Sequence, residues 1–502
     1  MLKYSLLLLS LVWGAASAQS GGAASTDATS TSAQNAPDPM DTIVQHAAEG
    51  FAQKPWASLS IGVIRDGKVR IYNYGATDHT LYELGSITKT FTSLLLAQAV
   101  VDKKVRLTDD IRKYLKGDYP NLEFKGRPIQ LVHLANLTSA LPNNIPDFTE
   151  AVKKASPDSF ANVVTKLNEG YGREDLLRDL HQVKLDTFPG VLPRHSNTAA
   201  QLMGYILENV YGDSFENLVE KYILNPVHMT HTFVDIPASQ ASLLAKGHNE
   251  EGAPEPYIVS NSQGAAGIKS CIEDMTRYMA YQLKEQTEVV RLTHQVAWGN
   301  IQQFAVGMNW FMGTNFDGQR RVSNDGTTFG FTSCFLLYPE RRFGVLIMAN
   351  ECGNGSQGLL YGMANKIYNE HFYTPAQRAS DAFGFSKSIN LLLAGLQKQG
   401  FAQAIDVAAG LAKSHKDFKL DDDELNLWAY SFLNKGRLQD ALEIFKLNTS
   451  LHPGSWNDYD SEAEGYEDLG DKENAIKFYR KSLDINPKNE NAAKHLQKLG
   501  AP

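Results

Sequence analysis

Between residues 57 and 74 apolar and polar side chains alternate around Asp66-Gly67. A period of two with a turn dipeptide at its centre predicts a β-hairpin. The stretch ELGSITKTFTSLLLAQAV then passes from a turn into a strongly apolar run, which predicts a helix opened by Ser86. Helices are also predicted near 127–137, 158–168, 198–211 and 272–284, and a second β region over about 305–349. There Pro339-Glu340-Arg341-Arg342 separates FTSCFLLY from FGVLIMAN, a second hairpin. Strands at both ends with helices between them predict one mixed sheet whose first and last strands are neighbours.

Past about residue 376 no strand-like run remains and an internal repeat takes over. Gly436, Ala441, Phe445 and Pro453 recur as Gly470, Ala475, Tyr479 and Pro487, each 34 positions later. That period, with small residues where helices cross and Pro at the repeat end, is the tetratricopeptide pattern. Trp428, Ala429 and Phe432 suit the first helix of one repeat, and Tyr459, Ala463 and Tyr466 that of the next. Two repeats alone bury little, so residues 385–420 are expected to form a degenerate third helical pair. The repeats read equally well as a docking module for another protein and as a helical cap.

The N-terminus changes the picture of where the chain works. Lys3, the apolar run Leu6 to Trp13 and Ala16-Ser17-Ala18 have the order of a secretory signal, expected over 1–18. Residues 19–38 are rich in Ser, Thr, Ala and Gly and read as a flexible linker. The expected domains are then 39–375 and a helical part over 385–502, in an exported, periplasmic or secreted protein with no membrane span after signal cleavage. A length of 502 residues with 43% apolar side chains suits two or more globular domains. A net charge of −8 argues against nucleic acid as a partner. The three cysteines, Cys271, Cys334 and Cys352, show no metal spacing. They read as small buried residues, with a Cys334–Cys352 disulfide left open.

The candidate chemistry begins at Ser86-Ile87-Thr88-Lys89. On a helix, Lys89 lies one turn beyond Ser86 on the same face, where a buried amine can take the hydroxyl proton. Three downstream segments bear on it: Leu137 to Asn144, Pro189 to Asn197 and Ser323 to Phe331. With GAAGIKSCIEDM, which carries Gly267, Ser270 and Asp274, their order resembles the serine β-lactamase and penicillin-binding-protein superfamily over about 42–372. The resemblance is to the class C branch, which includes DD-peptidases, D-aminopeptidases and esterases. It implies an α+β fold, mixed α/β, with an antiparallel sheet, flanking helices and an all-α subdomain, followed by the all-α tetratricopeptide-like domain.

Carried over residue by residue, the resemblance implies Ser86 as nucleophile, Lys89 as its activating partner and Asn197 as a contact to the substrate amide. Asn144 falls at a further substrate contact. The backbone N–H groups of Ser86 and Thr327 would form an oxyanion hole, with Gly326 letting the strand approach the substrate. Read by themselves, Ser196 or Asn197 could equally cap the following helix, and Asn324-Asp325-Gly326 could be a plain turn. No metal or organic cofactor is implied, and the partner is a small-molecule or peptide substrate.

Two positions depart from the family pattern. His195 stands where the family has Tyr; an imidazole can also move protons near neutrality, so it is kept as a catalytic candidate. Asn324 stands where Lys or His is usual, which removes most of the attraction for a substrate carboxylate. Arg320 or Arg321 is a candidate to compensate. The expectation is a serine hydrolase acting on an amide or ester, a cell-wall peptide or small ester, and weak on β-lactams. The rival is an impaired or non-catalytic ligand-binding protein that uses the same pocket and docks a partner through the repeats.

Overall fold

The computed structural model describes residues 38–154, 159–258 and 262–501. The expected signal segment and nearly all of the linker lie outside the described residues. Asp38 does not belong to a linker: its side chain accepts from Met40 N and caps the helix Pro39–Ala52 (α1), which Pro39 starts with a preset φ.

Residues divide into two compact units, one reaching Thr314 and including Gln319–Phe372, the other Asn315–Gly318 with Tyr373 onward. The first unit is built on eight strands: β1 (Leu59–Arg65), β2 (Lys68–Tyr74), β3 (Trp298–Asn300), β4 (Phe304–Val306), β5 (Phe311–Thr314), β6 (Arg320–Thr327), β7 (Thr332–Tyr338) and β8 (Phe343–Ala349). Their order is β2-β1-β8-β7-β6-β5-β4-β3 and every neighbouring pair is antiparallel. The first and last strands are neighbours, with Ile61 opposite Ile347. β7 and β8 are buried at every position because helices cover both faces, so they read as continuous apolar runs. The edge strand β2 is exposed or half-buried throughout.

Helices α2 (Thr88–Val101) and α3 (Asn197–Tyr211) pack on each other, while α4 (Ile272–Lys284) and α5 (Ser356–Phe372) cover the sheet with α1. α1 and α5 pack together and on the sheet, while α4 lies against β1 and β8. Two strand glycines admit α4: a Cβ on Gly62 would come 2.6 Å from Thr276 Cγ2, and one on Gly344 2.7 Å from Met279 Sδ. α2 buries nearly its whole circumference, from Thr88 to Leu96 without a break, which explains its weak amphipathic pattern. The helix expected over 127–137 is only Leu131–Ala135, because Arg127–Pro128 pairs with Glu123–Phe124 instead. Short helices Thr149–Lys154 and Arg173–Leu180 were not anticipated by the pattern.

All three cysteines are free thiols, so the Cys334–Cys352 disulfide is not formed. No helix among the described residues is long and apolar enough to cross a membrane.

The second unit contains α6 (Lys387–Gln399), α7 (Ala404–Ser414), α8 (Asp422–Leu433), α9 (Leu438–Leu451), α10 (Trp456–Asp468), α11 (Lys472–Ile485) and α12 (Glu490–Lys498). Gly436 and Gly470 take φ of +73° and +81° in the turns between paired helices, a conformation that favours glycine. Trp428, Phe432, Ala441 and Phe445 share one buried cluster, and Ala463, Ala475 and Tyr479 another. The third pair, α6 and α7, joins the first of these clusters through Leu392, Leu396 and Val407.

Candidate active site

Ser86 does not open α2 itself. It sits in the single tight turn Gly85–Ile87 that leads into the helix. Two glycines press this turn against the end of β6. A Cβ on Gly326 would lie 2.0 Å from Leu84 O and 2.9 Å from Ser86 N, and one on Gly85 would lie 2.6 Å from Thr327 N. Ser333 Oγ donates to Leu84 O at 3.0 Å and pins the same contact. Gly326 thus lets the strand approach the serine turn. Gly326→Ala is expected to force strand and turn apart and to destabilise the protein by about 1–3 kcal/mol, the usual range for overpacking. Thermal unfolding measures it.

Lys89 is 2% exposed, and its Nζ has three partners. Ser86 Oγ is at 2.7 Å, Asn197 Oδ1 at 2.8 Å and the Ala265 carbonyl at 2.9 Å. The carbonyl is held there by α2 itself, since Thr92 Oγ1 donates to Gly264 O and Thr88 Oγ1 accepts from Ile268 N. Burial pushes the Lys89 amine down to about 7, and the charge of Asp325 opposes the shift.

Two adjacent residues split the work at the start of α3. Ser196 accepts from Ala199 N and donates to Pro142 O, so Ser196 is the cap. This leaves the Asn197 side chain for the cleft, where its Oδ1 accepts from Lys89 and its Nδ2 donates to Asn144 Oδ1 at 2.9 Å. Backbone bonds from Arg194 N to Leu137 O and Thr198 N to Asn143 O tie the two loops together. Asn144 therefore meets Asn197, which orients that amide.

His195 stands at the exposed rim and lines the same cleft. Its Nδ1 lies 2.8 Å from Asn143 Oδ1. Among the described residues no hydrogen bond joins it to Ser86 or Lys89. Desolvation first and the Lys89 charge second lower its pKa well below the ordinary range, so the ring is neutral at pH 7. A neutral ring that donates from Nδ1 carries its lone pair on Nε2.

Asn324 is 4% exposed and donates Nδ2 to Asn309 O at 2.7 Å, while its Oδ1 is buried without a partner. The Asn309 carbonyl sets this orientation, because a flipped amide would oppose two acceptors. Asp325 accepts from Tyr361 of α5 at 2.8 Å, and burial raises its pKa. Arg320 does not compensate for the missing cation: it binds Glu285 at 2.7 and 2.9 Å and Glu340 at 2.8 Å. Arg321 is not among the residues that line the cleft.

The cleft has a volume of about 450 Å³ and brings together Ser86, Lys89, Asn144, His195, Asn197, Asn324 and Thr327. Among the described lining residues Lys89 and Asp325 are the only Lys, Arg, Asp or Glu side chains. Gly267, Ser270 and Asp274 lie elsewhere in role: Asp274 accepts from His231 N and Thr232 Oγ1, and Ser270 bonds Thr232. Asn143, Asn309 and the Ala265 carbonyl were not foreseen. Asn143 had a signal in its place beside Asn144; a backbone carbonyl has none.

A family model described as Beta-lactamase matches residues 41–360, and one described as Tetratricopeptide repeat matches 464–489. A beta-lactamase of Pseudomonas fluorescens is 26% identical over 352 residues, 60% of this chain and 90% of that protein. Protein flp of Staphylococcus aureus strain MRSA252 is 26% identical over 357 residues, 67% of each chain. Among solved structures, a class C beta-lactamase superposes with a TM-score of 0.56 at 21% identity, covering 67% of this chain and 97% of that one. A beta-lactamase/D-alanine carboxypeptidase from Pseudomonas syringae gives 0.55 at 21% identity, covering 67% and 100%.

Proposed function

Because the chain belongs to the beta-lactamase family over most of its first unit, we propose that it is a serine hydrolase that cleaves an amide or ester through an acyl-enzyme on Ser86. The observation that carries this reading is the set of partners around Lys89 Nζ. Two of the three, Asn197 Oδ1 and Ala265 O, can only accept. A neutral amine donates its two N–H bonds to them and turns its lone pair toward the Ser86 hydroxyl. Burial makes that neutral form accessible near pH 7.

In the proposed step, Ser86 Oγ attacks the substrate carbonyl carbon as its proton passes to Lys89. The oxyanion is received by the N–H groups of Ser86 and Thr327, which the Gly85 and Gly326 contacts bring together. The proton then goes to the leaving amine or alcohol, from Lys89 or through neutral His195 at the rim. Water hydrolyses the acyl-enzyme with the same groups as bases. The substrate is a small ester or a cell-wall peptide. Lacking a cation beside Asn324, the site is expected to be slow on β-lactams.

One observation favours the rival, a ligand-binding protein without turnover: His195 engages Asn143 rather than the Ser86–Lys89 pair. Intact-mass measurement after incubation with a fluorophosphonate, esters, penicillins and D-amino-acid peptides separates the two. An adduct supports the hydrolase; none with any member supports the binder. The acylation rate is expected to rise about tenfold per pH unit up to about pH 7 and to level off above it, since only deprotonated Lys89 accepts the proton. A profile flat between pH 5 and 9 would exclude Lys89 as the base.

We read residues 1–18 as an export signal, and the repeats, whose model match covers the end of α10, all of α11 and the turn after it, as a docking surface for a protein partner.

A further inference from the structure

The cleft extends well beyond Ser86, and its extension is largely apolar, with Thr165 and Asn168 as the polar residues on the helix that also carries Val164. Its wall comes largely from the segment between the two loops that hold His195 and Asn197. Val164 and Leu176, on the helices Phe160–Asn168 and Arg173–Leu180, turn inward and are 6% and 5% exposed. Phe148 and Tyr171 join them. Phe160 is 40% exposed, unusual for so large an apolar side chain, and meets Phe329 edge-to-face at 6.1 Å. These two rings face each other from the helical segment and from the loop after β6, at the mouth of the cleft. A concave apolar surface beside a few convergent polar groups is the usual form of a small-molecule subsite.

The charge distribution says what that ligand lacks. Among the described lining residues the one Lys or Arg is Lys89, which must be neutral to act. One N–H of the Asn324 amide is taken by Asn309 O, and the amide oxygen is a buried acceptor without a partner, which disfavours an anion beside it. A carboxylate bound here would lose its water and meet no Lys or Arg but Lys89 among the described lining residues.

We propose that the region walled by Phe148, Phe160, Val164, Tyr171, Leu176 and Phe329 is an acyl subsite, and that the substrate is an ester or amide of an uncharged, apolar carboxylic acid longer than acetic. The inference rests on Ser86 being the nucleophile. In the reaction, the ester C–O or amide C–N bond breaks, the acyl carbon bonds Ser86 Oγ, and the leaving group takes the serine proton. The chain remote from the carbonyl stays in the apolar region throughout.

The test measures kcat/KM for p-nitrophenyl acetate, butyrate, hexanoate and octanoate, with the fluorophosphonate adduct on Ser86 recorded in the same preparation. Octanoate is expected to exceed acetate by about tenfold or more, because each added methylene gains apolar contact. Phe160→Ala, at an exposed position where folding tolerates it, is expected to reduce the octanoate-to-acetate ratio about fivefold, as is Phe329→Ala. An adduct with a flat or falling chain-length series overturns the subsite and leaves the nucleophile standing. A ratio unchanged in both variants also overturns it. Absence of both adduct and ester turnover removes the nucleophile and the subsite together.

Discussion

Ser86→Ala is expected to abolish covalent labelling and to lower ester turnover by about 10⁴-fold or more, the scale seen when a nucleophile is removed from a serine hydrolase. The change deletes one oxygen and keeps the turn Gly85–Ile87. Lys89 retains two of its three partners, Asn197 Oδ1 and Ala265 O. Stability is therefore expected to move by no more than about 1 kcal/mol, the net worth of one hydrogen bond. Intact mass after fluorophosphonate treatment and thermal unfolding of the same sample read both halves of the expectation. An adduct that persists in the variant would assign the nucleophile to another hydroxyl of the cleft, of which Thr327 is the nearest along β6.

Lys89→Arg is expected to cost about 10³-fold in acylation rate, within the range for loss of a general base. The substitution keeps a cation but removes the ability to deprotonate, since a guanidinium holds its proton throughout the accessible pH range. The limb of the pH profile near 7 is expected to vanish with it. A planar fork also suits neither the three-point arrangement of Ser86, Asn197 and Ala265 nor a site only 2% exposed. Lys89→Met tests the same base without the added bulk. It leaves Asn197 Oδ1 and Ala265 O without a donor, at a cost of about 1–3 kcal/mol for each buried acceptor. Rates measured across pH 5 to 9 distinguish a lost base from a merely distorted cleft, because distortion leaves the limb in place.

Much of this site was legible because its key spacings are local. Ser86 and Lys89 are three residues apart at the start of an apolar helix, so the helical turn alone brings Oγ and Nζ within 2.7 Å. The repeat was legible for the same reason: a 34-residue period returns Gly436 and Gly470 to equivalent turns. Asn197 meets Lys89, but its separation from the capping role of Ser196 required the loop 142–143 to be in place.

Elsewhere a distant partner decided the outcome. Arg320 was a candidate cation for the cleft, yet Glu285 and Glu340, from a helix end and a hairpin turn, bind it first. The close approach of the Leu84 carbonyl to Gly326, which a Cβ would block, was not legible in the motif. His195 lines the same cleft as Ser86, and its contact with the Asn143 amide depends on a loop some fifty residues earlier in the chain. The apolar wall around Val164 and Leu176 had helical character in the sequence, but nothing there indicated which space it enclosed.

The order of elements, the serine–lysine pair and the helical repeats follow from the amino-acid sequence by itself, since each depends on periodicity or on contacts within one turn, while the antiparallel sheet was implied by the family resemblance. The protonation state of Lys89, the partner of His195, the fate of Arg320 and the unpartnered acceptor on Asn324 were decided only by the tertiary structure. Each of these is an electrostatic or hydrogen-bonding balance among groups far apart in the chain, often a backbone carbonyl such as Ala265, whose position no side-chain pattern encodes.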